Sequence, residues 1–219
     1  MKSKLYGLLL CVLFVSGCSG LLLPETPPAE QVDRSLFTGV PCAVPCWHGL
    51  EVGRSAEDEV ISTLQKLDYI DQATVQINRR SSGVEIIANC TSPARECLKF
   101  NVADDVLMKI VVGINYEVRA DEAIEQLGEP HYLGVSAAEG EITACEVYMI
   151  WRTSGLVLAS TFDKNSDGAE KYCDVVRDTG KIPSSFIIAE ARLIAGLELV
   201  NLLTSGDQLF TFSGTLAGR

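Results

Sequence analysis

The sequence predicts an α+β protein made of two tandem units, each a short helix packed on an antiparallel β meander, stapled by disulfides. Three observations predict this. Two amphipathic segments, from Ser55 and from Ala120, share a residue pattern displaced by 63 positions. Each is followed by runs of alternating, β-branched sequence. Six cysteines lie in the same stretch, an even set of the kind that forms a disulfide framework outside the cytoplasm.

The chain opens Met1-Lys2-Ser3-Lys4, and an apolar run from Leu5 to Val15 follows, diluted only by Tyr6 and Gly7. This is the charged-then-apolar build of a secretory signal, too short to span a bilayer, which needs about 20 residues. The run ends Val15-Ser16-Gly17-Cys18, which resembles the lipobox of bacterial lipoproteins. An ordinary signal peptide explains the small residues but not a cysteine directly after them. The resemblance implies that residues 1–17 are a signal peptide and that Cys18 carries a diacylglyceryl thioether and an acylated amine such as a palmitate. At about 0.8 kcal/mol per buried methylene, those chains anchor the protein to the cell membrane or outer membrane, at its extracytoplasmic face.

Residues 18–40 carry Pro24, Pro27 and Pro28 and no periodicity, and read as a tether. Extended at about 3.1 Å per residue, the tether reaches tens of ångströms from the anchor. The first α+β unit is expected over 41–114, the second over 115–195, and a C-terminal tail over 196–219. Within the tail, Leu197 to Leu203 reads equally as a short helix or a strand.

Removing Lys2 and Lys4 with the leader takes the formal charge from −11 to −13. So acidic a surface repels phosphate backbones, which argues against nucleic acid as a partner. A hydrophobic content of 47%, well spread after the tether, argues for a packed core.

Cys11 leaves with the signal and Cys18 is lipidated, so six cysteines remain, with 15 connectivities open to them. Strands from Gly83 to Cys90 and from Cys97 to Ala103 around a turn bring Cys90 opposite Cys97. A second hairpin turning at Thr153-Ser154 sets Cys145 opposite Phe162, and the loop beyond returns Cys173 to the same sheet end. Cys42 and Cys46 then pair by elimination. Zinc held by Cys42, Cys46 and His48 is the functional alternative, but a third cysteine at compatible spacing is lacking. A catalytic Cys46–His48 pair needs a free thiolate, which a disulfide removes.

The first helix is expected from Ser55 as N-cap through Val60, Ile61, Leu64 and Leu67, with Glu57, Asp58 and Glu59 in its first turn. The second runs from Ala120 through Asp121, Glu122, Ala123, Ile124 and Leu127 to Gly128, with Pro130 as terminator. The match of Asp58-Glu59-Val60-Ile61 to Asp121-Glu122-Ala123-Ile124 suggests an internal duplication, with Ile61 and Ile124, and Leu64 and Leu127, buried equivalently. Strands are expected over Ala73–Arg79, Val84–Cys90, Leu98–Ala103, Val106–Val112, Tyr132–Ser136, Ile142–Trp151, Leu156–Phe162 and Phe186–Ile194.

Gly49-Leu50-Glu51-Val52-Gly53 before the first helix, and Leu127-Gly128-Glu129-Pro130 after the second, resemble the opening of the outer-membrane assembly lipoprotein BamE. They are similar also to the repeats of the secreted β-lactamase inhibitor protein. Pro45-Cys46-Trp47-His48-Gly49-Leu50 resembles the Pro-Cys-Trp-x-Gly-Ile opening of exported bacterial lipoproteins. These resemblances imply a fold class and a location and carry no partner across.

Candidate chemistry is sparse. Asp163, Asn165 and Asp167, with Gly168 next and Asp174 at position 12, lie in the order of a Ca²⁺-binding loop. Position 12 wants a longer glutamate and strands are expected on either side, so an Asx-turn loop needing no metal is the stronger expectation. His48 and His131 have no nucleophile at a recognisable spacing and read as surface or capping residues. The paired acids Asp104-Asp105 and Asp121-Glu122 read as solvated faces rather than a hydrolase dyad. Trp47 and Trp151 read as core anchors. The expected protein is therefore a lipid-anchored, non-enzymatic binding or scaffolding module with an extracytoplasmic protein partner. The alternatives are a cell-envelope hydrolase and a Ca²⁺-binding surface protein.

Overall fold

The computed structural model describes residues 33–91, 95–137, 144–163, 169–184, 186–196, 199 and 208–212. Cys18 lies outside them, as do Asn165 and Asp167. The protein is α+β, built on an antiparallel sheet with few helices and three cysteine pairs at bonding distance.

A four-residue helix α1 (Ser35–Thr38) leads to a two-strand ladder of β1 (Cys46–Trp47) and β2 (Leu50–Glu51), then to helix α2 (Glu57–Leu64). A 3-10 turn at Gln72–Thr74 precedes β3 (Gln76–Arg80), β4 (Gly83–Asn89), β5 (Glu96–Ala103) and β6 (Val106–Gly113). Helix α3 (Ala120–Leu127) follows, then β7 (Tyr132–Ala137), β8 (Ala144–Trp151), β9 (Leu156–Asp163) and helix α4 (Ala169–Thr179). The last elements are β10 (Glu190–Ile194) and β11 (Gln208–Thr211).

Nine of these strands form one sheet in the order β11-β7-β8-β9-β10-β6-β5-β4-β3. Two four-strand meanders thus meet through their final strands, β6 and β10, which run antiparallel with Leu193 opposite Ile110. Bulges at Ala88/Asn89 and Asn101/Val102 break the register within the first meander.

Helix α3 occupies the span its periodicity suggests, whereas α2 stops at Leu64, short of the expected Leu67; both form for local reasons. The first turn of α2 carries three acids, favourable at the positive end of the helix dipole. Its cap is not Ser55, whose hydroxyl instead accepts the Glu51 N–H, at 3.2 Å; Glu59 reaches back to the Ala56 N–H, at 3.0 Å. Helix α3 stops at Gly128, whose φ of 79° suits a residue without Cβ. Val60 and Leu64, four apart on one face of α2, are fully buried, each contributing roughly 1.5–3 kcal/mol by leaving water. Ile61 and Ile124, expected to be buried, are half-buried, and Leu127 is half-buried where its expected equivalent Leu64 is buried. The deepest equivalent residues are Val60 and Ala123, both 0% exposed, because in so short a helix only one line of side chains faces the sheet squarely.

The two meanders differ in how many faces they bury. Along β4 to β6 buried residues such as Ile86, Phe100 and Ile110 alternate with half-buried ones such as Ile87, Lys99 and Lys109, the pattern of a sheet covered on one side. Along β8 and β9 the runs 147–151 and 156–160 are buried on both faces. The second cover packs Leu199 and Leu209 with Tyr148, Ile150, Val157 and Ile194. The segment expected to be a tail therefore contributes a strand, β11, paired with β7, and part of a second core. Tyr148 in that core lies on Gly134, where an added Cβ would fall 1.9 Å from the ring.

Other sequence expectations shift in detail. The strand expected over Phe186–Ile194 begins only at Glu190, and Arg119 forms an isolated bridge with Ile187 ahead of it. Cys173 lies not on a returning loop but on α4, where Cys173 and Val176 face the core three residues apart. Residues 33–40, read as the end of the tether, carry α1, with Leu36 buried in the main core and Phe37 packed edge-on against Tyr116, ring centres 6.4 Å apart.

Candidate functional site

Disulfides hold the corners of this framework. Cys90 and Cys97 sit where β4 and β5 meet their turn, Cα atoms 5.6 Å apart. Cys145, opposite Phe162 in the β8–β9 ladder, bonds Cys173 on α4 across 6.5 Å between Cα atoms. Cys42 and Cys46 close a loop of sequence separation four, Cα atoms 5.6 Å apart, just before β1.

The most elaborate polar site is built on Asp33. Its Oδ1 accepts the Ser35 N–H at 2.9 Å, an Asx-type turn that starts α1. Its Oδ2 gathers three side-chain donors: Trp47 Nε1 at 3.0 Å, His48 Nε2 at 3.2 Å and Tyr69 Oη at 2.8 Å. The Asp33 side chain is 11% exposed and that of His48 22%. Burial works to raise the Asp33 carboxyl, but the hydrogen bonds from His48, Ser35 and Tyr69 outweigh it and hold the group well below the usual carboxylate range. Burial, then the Asp33 charge, pushes the Tyr69 phenol above its ordinary range. Trp47 is fully buried, packs at a tilt on Phe100 with ring centres 5.6 Å apart and touches the His48 ring edge-on at 4.7 Å. His48 takes a φ of 49°, the left-handed region, to aim its ring at Asp33. The cluster holds an acid–histidine pair, and its hydrogen bonds fasten the start of α1 to Trp47, His48 and Tyr69.

A second polar group lies on the sheet face opposite the helices. Arg192 on β10 binds Glu146 through both terminal nitrogens and Glu190 through Nε. Burial lowers its basicity, but Glu146 and Glu190 more than compensate and raise it. A cleft of about 170 Å³ opens at the far end of the same face, among Arg80, Glu85, Asn101 and Met108. Glu85 is the carboxylate lining it and pairs with Arg80 at 3.7 Å.

The remaining sequence candidates fall apart from one another. His131 is exposed after α3. Asp104 and Asp105 form the β5–β6 turn, at φ of 50° and 60°, and Asp121 pairs with Arg119 at 2.9 Å. Asp163 ends β9, while Asp174 sits on α4 and binds Arg177 at 2.9 Å; a helix, not the expected strand, follows the candidate Ca²⁺ loop. Trp151 is buried and donates to the Gly128 carbonyl at 2.9 Å. Among the described residues no group of three or more His, Cys, Asp or Glu is placed to hold a metal, and no helix is long and apolar enough to cross a membrane.

Sequence reasoning missed Asp33, although Asp33-Arg34-Ser35 before Leu36-Phe37 is a helix start leading into an apolar pair. Compared with protein-family models, with curated proteins and with solved structures, the chain matches none.

Proposed function

We propose that this is a lipid-anchored extracytoplasmic lipoprotein of two duplicated α+β units, acting as a protein-binding or scaffolding module. The observation that carries the binding role is the contrast between the two halves of one sheet face. The second cover closes it over β8 and β9, and over β4 to β6 no described residue forms such a cover, with Glu85, Ile87, Lys99 and Val111 half-buried. Rigid strands holding mixed polar and apolar side chains suit recognition of another protein's surface.

The duplication is supported by hydrogen bonds as well as by the 63-residue offset. The carbonyl of Ser55, before α2, accepts the N–H of Leu107 in β6 at 2.7 Å. The carbonyl of Val118, before α3, accepts the N–H of Ile188, just ahead of β10, at 2.8 Å. The residue before each helix is thus tied to β6 itself in the first unit and to the chain two residues ahead of β10 in the second, and β6 and β10 pair with each other.

The anchor is tested by Cys18→Ala. Precursor or released protein is expected on fractionation; a variant recovered as mature, firmly membrane-bound protein contradicts the lipoprotein reading. The binding role is tested by where cross-links fall in the cell, on the open strands or on the helices.

A further inference from the structure

We propose that Cys42–Cys46 is an exchangeable disulfide that a partner protein dithiol opens by attack on Cys42, while the other two bonds are structural.

Access distinguishes the bonds. Cys90 and Cys97 are 7% and 5% exposed and Cys145 and Cys173 3% and 2%, so an incoming thiolate meets packed side chains at all four sulfurs. Cys46 is 9% exposed, whereas Cys42 is half-buried and flanked by the exposed Pro41 and Ala43. Val40, 68% exposed, is one of the few large apolar side chains left in water among the described residues, and it stands two positions before Cys42. A reachable sulfur with an exposed apolar side chain nearby in sequence is open to the thiolate of a docking partner.

Loop length points the same way. The bond spans a sequence separation of four, against 7 and 28 for the others. Closing so short a loop removes the least entropy from the unfolded chain, so this bond adds least to the stability of the fold and its loss is tolerated best.

The third observation concerns the product. Cys42 Sγ accepts the Gly49 N–H at 3.3 Å. Such a donor favours the thiolate over the thiol and makes Cys42 the better-stabilised sulfur once the bond is cut.

The exchange follows from these positions. A partner thiolate attacks Cys42 Sγ; a sulfur–sulfur bond to the partner forms, the Cys42–Cys46 bond breaks, and its electron pair leaves on Cys46, which takes a proton from water. The partner's second thiolate then attacks its own bonded sulfur and releases Cys42 as a thiolate held by Gly49. Two electrons pass from the partner dithiol to Cys42–Cys46, and the partner leaves as a disulfide.

The test uses the full chain, with dithiothreitol as the probe, followed by alkylation and peptide mapping. Cys42 and Cys46 are expected to become alkylated at a reductant concentration at least about tenfold below that needed for Cys90, Cys97, Cys145 and Cys173. Opening of all three bonds together, or of either other bond first, overturns the proposal. Single-cysteine variants supply an independent reading. Cys46→Ala is expected to form a mixed disulfide with oxidised glutathione at least about tenfold faster than Cys42→Ala, with a rate that levels off at lower pH than for an ordinary thiol. Equal rates, or a pH profile like that of an unstructured cysteine peptide, contradict it.

Discussion

Replacing Asp33 with alanine is expected to destabilise the protein by about 3–5 kcal/mol, as removing one partner of a buried, hydrogen-bonded charge does. The loss exceeds that of one contact because Trp47, His48 and Tyr69 all direct donors at the same oxygen. Each buried donor left without an acceptor costs about 1–3 kcal/mol. Asp33→Asn keeps an acceptor but loses the charge and is expected to fall between wild type and alanine. The pH dependence has a defined sign. Asp33 has a folded pKa below its unfolded value, so its stabilisation is complete above pH of about 4 and declines as pH falls through the folded pKa. Denaturant melts with disulfides intact, at neutral pH and again under acid, measure both effects. The gap between wild type and Asp33→Ala narrows in acid; a neutral-pH loss below about half a kcal/mol places the cluster among ordinary surface contacts.

Phe100→Ala is expected to cost about 3–5 kcal/mol, the range for a truncated core phenylalanine. The ring is 0% exposed at the centre of β5 and packs on Trp47, which carries the contact on to Asp33. The effect is therefore expected to spread. Limited proteolysis of Phe100→Ala cuts first between residues 33 and 47 if Trp47 transmits the loss, and within the strands if it does not.

How far the fold could be read from the sequence follows the range of the interactions that make each element. Helices α2 and α3 were legible because their acids and apolar spacing lie within eight residues, and α3 also because Gly128 follows it directly. The β4–β5 and β8–β9 hairpins were legible because short turns impose their registers, which place Cys90 near Cys97 and Cys145 opposite Phe162. Helix α4 was not, since the bond from Cys173 to Cys145 asked only for a return of the chain, which a loop satisfies as well. Strand β11 pairs with β7, whose residues lie far earlier in the chain, and four residues carry no signal of that. The Asp33 cluster joins residues 14, 15 and 36 positions apart, and nothing in a proline-bearing tether marks which of its acids will be buried. The single-sided burial of β4 to β6 also had no sequence signature, because the cover over the other half comes from the chain after β10.

The most direct measurement for the binding role is in-cell photo-cross-linking from a scan of single positions, read by mass spectrometry. Probes at Ile87 and Lys99 stand on the open face of β4 and β5; probes at Asp58 and Glu125 stand on the exposed sides of α2 and α3. Adducts with one extracytoplasmic protein at the two strand positions, and none at the two helix positions, are expected. Adducts spread evenly over all four, or confined to the helices, contradict a binding surface on the open half of the sheet.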